Sequence, residues 1–236
     1  MHRKLSTLAL GLTLAFGATA ALAAGNASVD QSGWYNSGTV LQSNTLFGTA
    51  NASITQQGDY NSGYVEQNGI GGTVSATIFE GSNADYNSST IEQKVVSNSN
   101  ASITHQGSYN DSWVNQTGVS GSSASIRQNG DYNSAGIDQA AGTNQVARIN
   151  EWQADWENGD YNEAFITQRG NNLFARVEQY NGSYNSAIVD QAGFNLSADV
   201  HQRGNYNSAR VTQAGFNYNA NVNQAGSFNS AYIRQN

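Results

Sequence analysis

The sequence predicts an all-β fold: a β-solenoid of stacked strand-arch-strand rungs with a repeat of about 22 residues. Three observations carry that prediction. An aromatic-Asn pair recurs nine times, at Tyr35, Tyr60, Tyr86, Tyr109, Tyr132, Tyr161, Tyr184, Tyr206 and Phe228, with spacings of 22 to 29 residues. Each recurrence is flanked by Val or Ile, followed two positions later by an amide in nearly every unit. The chain also contains no proline, the residue that most firmly denies a strand its ladder of hydrogen bonds.

The chain starts with a basic stretch (His2, Arg3, Lys4), an apolar run from Leu5 to about Ala18, and then Ala21-Leu22-Ala23. This is the pattern of a signal peptide over residues 1–23, with Ala21 and Ala23 at the positions the peptidase reads and cleavage after Ala23. Residues 24–236 then form one repeat domain, exported and without membrane insertion, since no later stretch approaches the roughly 20 apolar residues a spanning helix needs. Loss of Arg3 and Lys4 leaves eight basic residues against seventeen acidic ones. That balance argues against nucleic acid as a partner, because phosphate recognition needs clustered Lys and Arg.

Only 11% of residues are charged, while Gly, Ser, Asn and Gln fill the gap. Such a chain lacks the apolar area for an ordinary core, so it is either disordered or satisfies its amides by repetition. Cysteine is absent as well, so no disulfide staples it.

Each repeat divides into two halves. The first halves carry Val29, Ile54, Ile78, Ile103, Ile126, Ile149, Val177, Val200 and Val222, each preceded two positions earlier by Ala. Two positions later come Gln31, Gln56, Gln128, Gln179, Gln202 and Gln224, with Glu80, His105 and Glu151 in the three remaining slots. The second halves carry Val40, Val65, Ile91, Val114, Ile137, Ile166, Val189, Val211 and Ile233, each followed by Gln: Gln42, Gln67, Gln93, Gln116, Gln139, Gln168, Gln191, Gln213 and Gln235. Their other inward slots hold a small residue (Gly38, Gly63, Ser89, Ser112, Ala135, Ala164, Ala187, Ala209, Ala231) and Asn36, Asn61, Asn87, Asn110, Asn133, Asn162, Asn185, Asn207 and Asn229.

Parity supplies the geometry, since residues two apart in a strand share a face. Ala52, Ile54 and Gln56 share one face, Asn61, Gly63, Val65 and Gln67 another, and the odd-length turn between them lets the two faces meet. The glycines after the first Gln, such as Gly33, Gly58 and Gly130, suit an arch that needs positive φ or a close backbone approach. One rung cannot bury its amides alone. Stacked at roughly 4.8 Å, each Gln and Asn lies over its own copy and bonds along the axis, as in cross-β ladders. These amides are therefore the expected determinants of stacking and polymerisation.

The exceptions define the other candidates. Glu80, His105 and Glu151 fall in different units, so they are expected to be tolerated defects that slow stacking or fix register, without a catalytic or metal role. Glu66 and Glu92 would stand as outward like charges in neighbouring rungs, a device that delays aggregation. Tyr64, Trp113, Phe165 and Tyr232 form an outward aromatic row, suited either to contacts with other molecules or simply to extended backbone. Trp152 and Trp156 sit in an insertion that places Ile166 seventeen positions after Ile149 where a spacing of eleven is standard.

The recurring Q-x-G-x-Y-N-x-A-x-V/I-x-Q, as in "GDYNSAGIDQ" at Gly130 to Gln139, resembles the curlin repeat of bacterial curli amyloid subunits, over about residues 26–236. One departure is that the family's second turn glycine is Tyr in most units. The resemblance implies an amyloid-forming, non-enzymatic chain without cofactors. It further implies export unfolded through an outer-membrane secretion pore with accessory chaperones, and templated assembly into extracellular cell-surface fibres of a biofilm matrix. Partners would be other copies of itself and a nucleator or major subunit. Alternatives are a nucleating minor subunit, a soluble monomeric solenoid adhesin or ice binder, and an enzymatic parallel β-helix. No outward Thr array supports an ice face, and no carboxylate or histidine cluster converges in sequence.

Overall fold

A computed structural model describes residues 12–16, 24–43, 47–152 and 160–236. Every described element is a strand, and every pairing between them is parallel. One stack of strands comes from the first halves: β2 (Ala24–Gln31), β4 (Phe47–Gln56), β6 (Gly71–Glu80), β8 (Asn100–His105), β10 (Ser123–Gln128) and β12 (Val146–Trp152). It continues through the C-terminal parts of β13 (Glu163–Tyr180) and β14 (Ser186–Arg203) to β16 (Asn219–Ala225). The second stack runs through β3 (Ser37–Ser43), β5 (Ser62–Asn68), β7 (Ser88–Lys94), β9 (Asp111–Ser120) and β11 (Ser134–Thr143). The N-terminal parts of β13 and β14, then β15 (Ser208–Phe216) and β17 (Ser230–Gln235), complete it. The result is a β-solenoid of about nine turns, as its sequence predicts.

Register is strict, because a slip of one residue would turn every inward side chain out to solvent. Val65 pairs with Ile91, Ile91 with Val114, and Val114 with Ile137. In β5 the alternation is complete: Gly63, Val65 and Gln67 are buried, while Tyr64 and Glu66 between them are partly exposed. The main core is a column of Ala, Val and Ile from both stacks. Each fully buried Ile or Val contributes about 1.5 to 3 kcal/mol of transfer free energy.

The two arches differ. At the arch inside each unit the aromatic residue itself takes the left-handed conformation, with φ between 57° and 61° at all nine positions. The glycines of this arch meet both needs expected of them, positive φ and close backbone approach. Gly33, Gly130, Gly204 and Gly226 have positive φ, whereas Gly58 and Gly107 are there because a Cβ would strike the carbonyl oxygen of the next rung. The left-handed region costs an L-residue roughly 1–2 kcal/mol. Here it is offset by the tyrosine amide, which donates to the preceding rung (Tyr86 N to Asp59 O, 2.9 Å), and by ring stacking. The tyrosines form one continuous column with centroids 4.7 to 5.0 Å apart. The Asp before the tyrosine belongs to this arch: Asp59 Oδ1 accepts from Trp34 N and Asp85 Oδ1 from Asp59 N, both at 2.7 Å.

The arch between units was not legible in sequence. There Gly170, Gly193 and Gly215 have φ of 123°, 144° and 128°, followed by left-handed Asn172, Asn195 and Asn217. Leu173 and Leu196 pack under it, and in earlier rungs a separate apolar cluster of Ala50, Ile70, Val74, Val96 and Val119 fills the same space. This arch lets β13 and β14 pass from one stack to the other as continuous strands.

The predicted cleavage residues Ala21 and Ala23, and Trp156 of the insertion, lie outside the described residues. Within the predicted leader, β1 (Leu12–Phe16) pairs in parallel with β3, Leu14 opposite Val40.

A Cβ on Gly193 would fall against the Gly215 carbonyl oxygen, far inside van der Waals contact, and φ there is 144°. Gly193→Ala is therefore expected to lower the guanidinium midpoint, with a loss of unfolding free energy well above the roughly 0.5 kcal/mol of an ordinary surface change. An unchanged midpoint would show that the arch relaxes freely.

Candidate functional site: the amide ladders and their interruption

In the second stack the Gln ladder is unbroken. Gln42 Nε2 donates to Gln67 Oε1 at 2.8 Å, and the same bond links Gln67 to Gln93, Gln93 to Gln116, Gln116 to Gln139 and Gln139 to Gln168. Gln168, Gln191, Gln213 and Gln235 continue it at 2.8 to 3.0 Å. Every Nε2 has a second proton, and it goes across the rung. Gln116 Nε2, for example, reaches Asn100 O at 3.2 Å and Gln202 Nε2 reaches Ser186 O at 3.0 Å. One side chain thus ties neighbouring rungs together and also closes its own rung. A buried amide left without these partners would cost about 1–3 kcal/mol.

The Asn row works differently from a side-chain ladder. Asn61 N donates to Asn36 Oδ1 at 2.9 Å, and Asn87, Asn110, Asn133, Asn162, Asn185, Asn207 and Asn229 repeat the bond. The Asn Nδ2 mostly reaches an arch carbonyl, such as Gly107 O for Asn87 and Gly130 O for Asn110. The Asn side chains therefore fasten the arch backbone where the chain leaves the left-handed tyrosine.

In the first stack the ladder joins Gln31 to Gln56 at 2.6 Å, then Gln179, Gln202 and Gln224 at 2.8 Å. Gln128 lies in the same column. The column is interrupted between Gln56 and Gln128. Glu80 and His105 are fully buried there, in adjacent rungs, with Glu80 Oε1 3.8 Å from His105 Nδ1. Sequence separation hid this convergence: the two defects are neighbours that share partners. Gln56 Nε2 donates to Glu80 Oε2 at 2.7 Å, and Ser89 Oγ lies 2.8 Å from Glu80 Oε1 and 3.3 Å from His105 Nδ1. Ser112 Oγ lies 2.8 Å from His105 Nε2 and donates to Gln128 Oε1 at 2.6 Å. The two serines in the small-residue row, which is otherwise Gly or Ala, stand opposite these two defects. That coincidence was the readable signal.

Burial governs both titrating groups. It pushes the Glu80 carboxyl up to about 7 against the opposing hydrogen bonds from Ser89 and Gln56, and it pulls His105 down to about 3. The Ser-His-Glu composition invites a catalytic reading, but all four side chains are at most 1% exposed and no substrate can approach. Among the described residues no three His, Cys, Asp or Glu side chains converge to hold a metal ion. At the third exception, Glu151 pairs in register with Gln128 and Gln179, and Gln179 Oε1 lacks a partner among the described residues.

Two surface expectations change. Glu66 and Glu92 do not face each other bare: Lys94 Nζ lies 2.7 Å from Glu92 and 3.7 Å from Glu66, so a cation bridges them. Of the outward aromatic row, Trp113 and Phe165 meet at 6.4 Å because Gly136 between them leaves room for the indole, while the Tyr64 hydroxyl bonds Glu66. The larger aromatic feature is the arch tyrosine column, whose signal was the recurrence of Tyr itself.

Residues 159–193 and 194–226 match the family model described as the curlin associated repeat. The similarity to curlin associated repeats covers these two segments. The matched curlin repeats are the later rungs, where spacing settles at 22 to 23 residues. No curated protein matches the chain.

Gln139→Leu removes one ladder step while keeping the apolar volume, leaving one N–H of Gln116 Nε2 and the Oε1 of Gln168 without their ladder partners. Chemical denaturation is expected to show a loss of about 2–4 kcal/mol, the cost of two buried unpaired groups. A neutral result would mean that the ladder contributes little beyond burial.

Proposed function

We propose that this protein is a structural subunit of extracellular curli-type amyloid fibres, secreted and joined end to end by continued rung stacking. The carrying observation is the state of the two terminal rungs. Ala, Val, Ile and Gln positions that are sealed in the inner rungs are only partly buried at Ala27, Val29 and Gln31 and at Ala231, Ile233 and Gln235. Among the described residues these strands pair on one side only, with β4 and β15, and an open edge is a template for another strand of the same pattern.

The amides give the stacking a direction. Throughout the Gln ladder Nε2 points toward the later rung, as from Gln202 to Gln224 and from Gln213 to Gln235. The C-terminal rung thus offers donors at Gln224 and Gln235, which meet the acceptors of Gln31 and Gln42 on a second copy. Head-to-tail joining continues every column, while tail-to-tail joining sets donor against donor. The predicted leader bears on the same edge: β1 lies along β3, so cleavage after Ala23 leaves the first rung open. The curlin repeats support the role, which extends in this reading to biofilm matrix, surface adhesion and cell aggregation. Export through an outer-membrane pore and contact with a nucleating or major subunit belong to the same reading.

Purified chain 24–236 is expected to form thioflavin-positive fibres with reflections near about 4.7 and 10 Å. Ile233→Pro, which removes a backbone donor and fixes φ on the last strand, should leave the inner rungs folded and stop elongation at that end. Wild-type chain that stays monomeric for days would overturn the proposal, as would undiminished elongation of the proline variant at both ends.

A further inference from the structure

The Glu80–His105 site joins two oppositely charging groups in a volume closed to water. The side chains facing the pair from β4, β7, β9 and β10 are Gln56, Ser89, Ser112 and Gln128, none of which titrates. Their positions complete one directional chain when both groups are neutral. The Glu80 hydroxyl at Oε1 donates to Ser89 Oγ, and Ser89 donates to His105 Nδ1. His105 Nε2–H then donates to Ser112 Oγ, and Ser112 donates to Gln128 Oε1. Glu80 Oε2 remains the acceptor for Gln56. Every polar atom of the pair is satisfied and no charge is buried. The ionised alternative would strip two charges of their hydration with a serine between them, and such a pair rarely recovers that cost.

In the unfolded chain at mildly acidic pH the same residues are a carboxylate and an imidazolium, holding one proton between them. We propose that folding into the stack hands that proton from His105 to Glu80, so that rungs three and four close as a neutral, hydrogen-bonded pair without net proton uptake or release. The ring nitrogen of His105 loses the proton and the carboxylate oxygen of Glu80 gains it, and Ser89 lies between them as the natural relay. This goes beyond the fibre role, since it concerns how each chain closes its own core. It gives the protein a device that keeps folding indifferent to pH across the window where either group alone would impose a slope.

The signs follow from the two shifts. Glu80, raised from 4.5 to about 7, favours the folded state at low pH and loses that contribution as pH rises from about 4.5 to 7. His105, lowered from 6.5 to about 3, does the reverse, losing stability as pH falls from about 6.5 to 3. Between about 4.5 and 6.5 the two slopes cancel.

The test uses chain 24–236 and the variants Glu80→Gln, His105→Gln and the double variant, each substituting the residue that other rungs hold at that slot. Folding followed by circular dichroism in denaturant should be flat for wild type between about pH 4.5 and 6.5. The folding equilibrium of Glu80→Gln should fall about tenfold per pH unit toward acid, and that of His105→Gln about tenfold per unit toward neutrality, the slope of one linked proton. The double variant should be flat again. Infrared spectra of folded wild type at pH 6 should show the carbonyl stretch of an un-ionised carboxylic acid, missing from Glu80→Gln. Flat single variants, a sloping double variant, or a purely ionised carboxylate spectrum would each overturn the proposal. Because the readouts follow folding, they stand even if fibres never form.

Discussion

Everything in this protein depends on one condition: a polar side chain can be buried here only if a neighbouring rung, one strand spacing away, supplies its hydrogen-bond partner. Amides fill the positions where a globular protein would put Leu or Phe, and they tolerate burial because a Gln such as Gln116 donates both along the axis and across its rung. The condition propagates outward. It demands parallel, in-register strands, hence arches of nearly constant shape, hence a left-handed residue at the same place in every turn. It also accounts for a chain with no proline and no disulfide holding its shape, since every rung is braced by its neighbours.

The same condition explains what departures from the pattern require. When Gln is replaced at Glu80 and His105, the facing small residues change to Ser89 and Ser112 and the broken ladder becomes a local network of different connectivity. Outward charge is handled similarly, with Lys94 set against Glu92 and Glu66. On the first stack's surface Arg176, Glu178, Asp199 and His201 form an ion-paired group across two rungs, with His201 Nδ1 2.8 Å from Glu178 and Nε2 3.0 Å from Asp199. Such exposed pairs each contribute little, so their effect is on local order more than on stability.

Much of the architecture was legible in the sequence because the period of two within strands and the period of about 22 between them are both explicit in the residues. The Val and Ile columns, the Gln ladder of the second stack and the inward small residues all follow from that parity. What resisted reading was anything set by proximity across rungs. Glu80 and His105 are 25 residues apart in sequence and touch only because the repeat folds back, and Gly136 is legible as a slot for the Trp113 ring only once the rungs are superposed. The tyrosine conformation was obscured for another reason: left-handed backbone is expected of Gly or Asn, and a bulky residue there is stable only when its ring has a copy to stack on.

The one-way sense of the glutamine amides has a final consequence. Each primary amide carries a dipole, and these point the same way along the unbroken second column and near both ends of the first. Aligned dipoles add, so the stack is an electrically oriented rod with partial positive charge at the C-terminal rung and partial negative charge at the N-terminal one, as in a helix. In the proposed fibre, that polarity favours head-to-tail over tail-to-tail approach of a second copy.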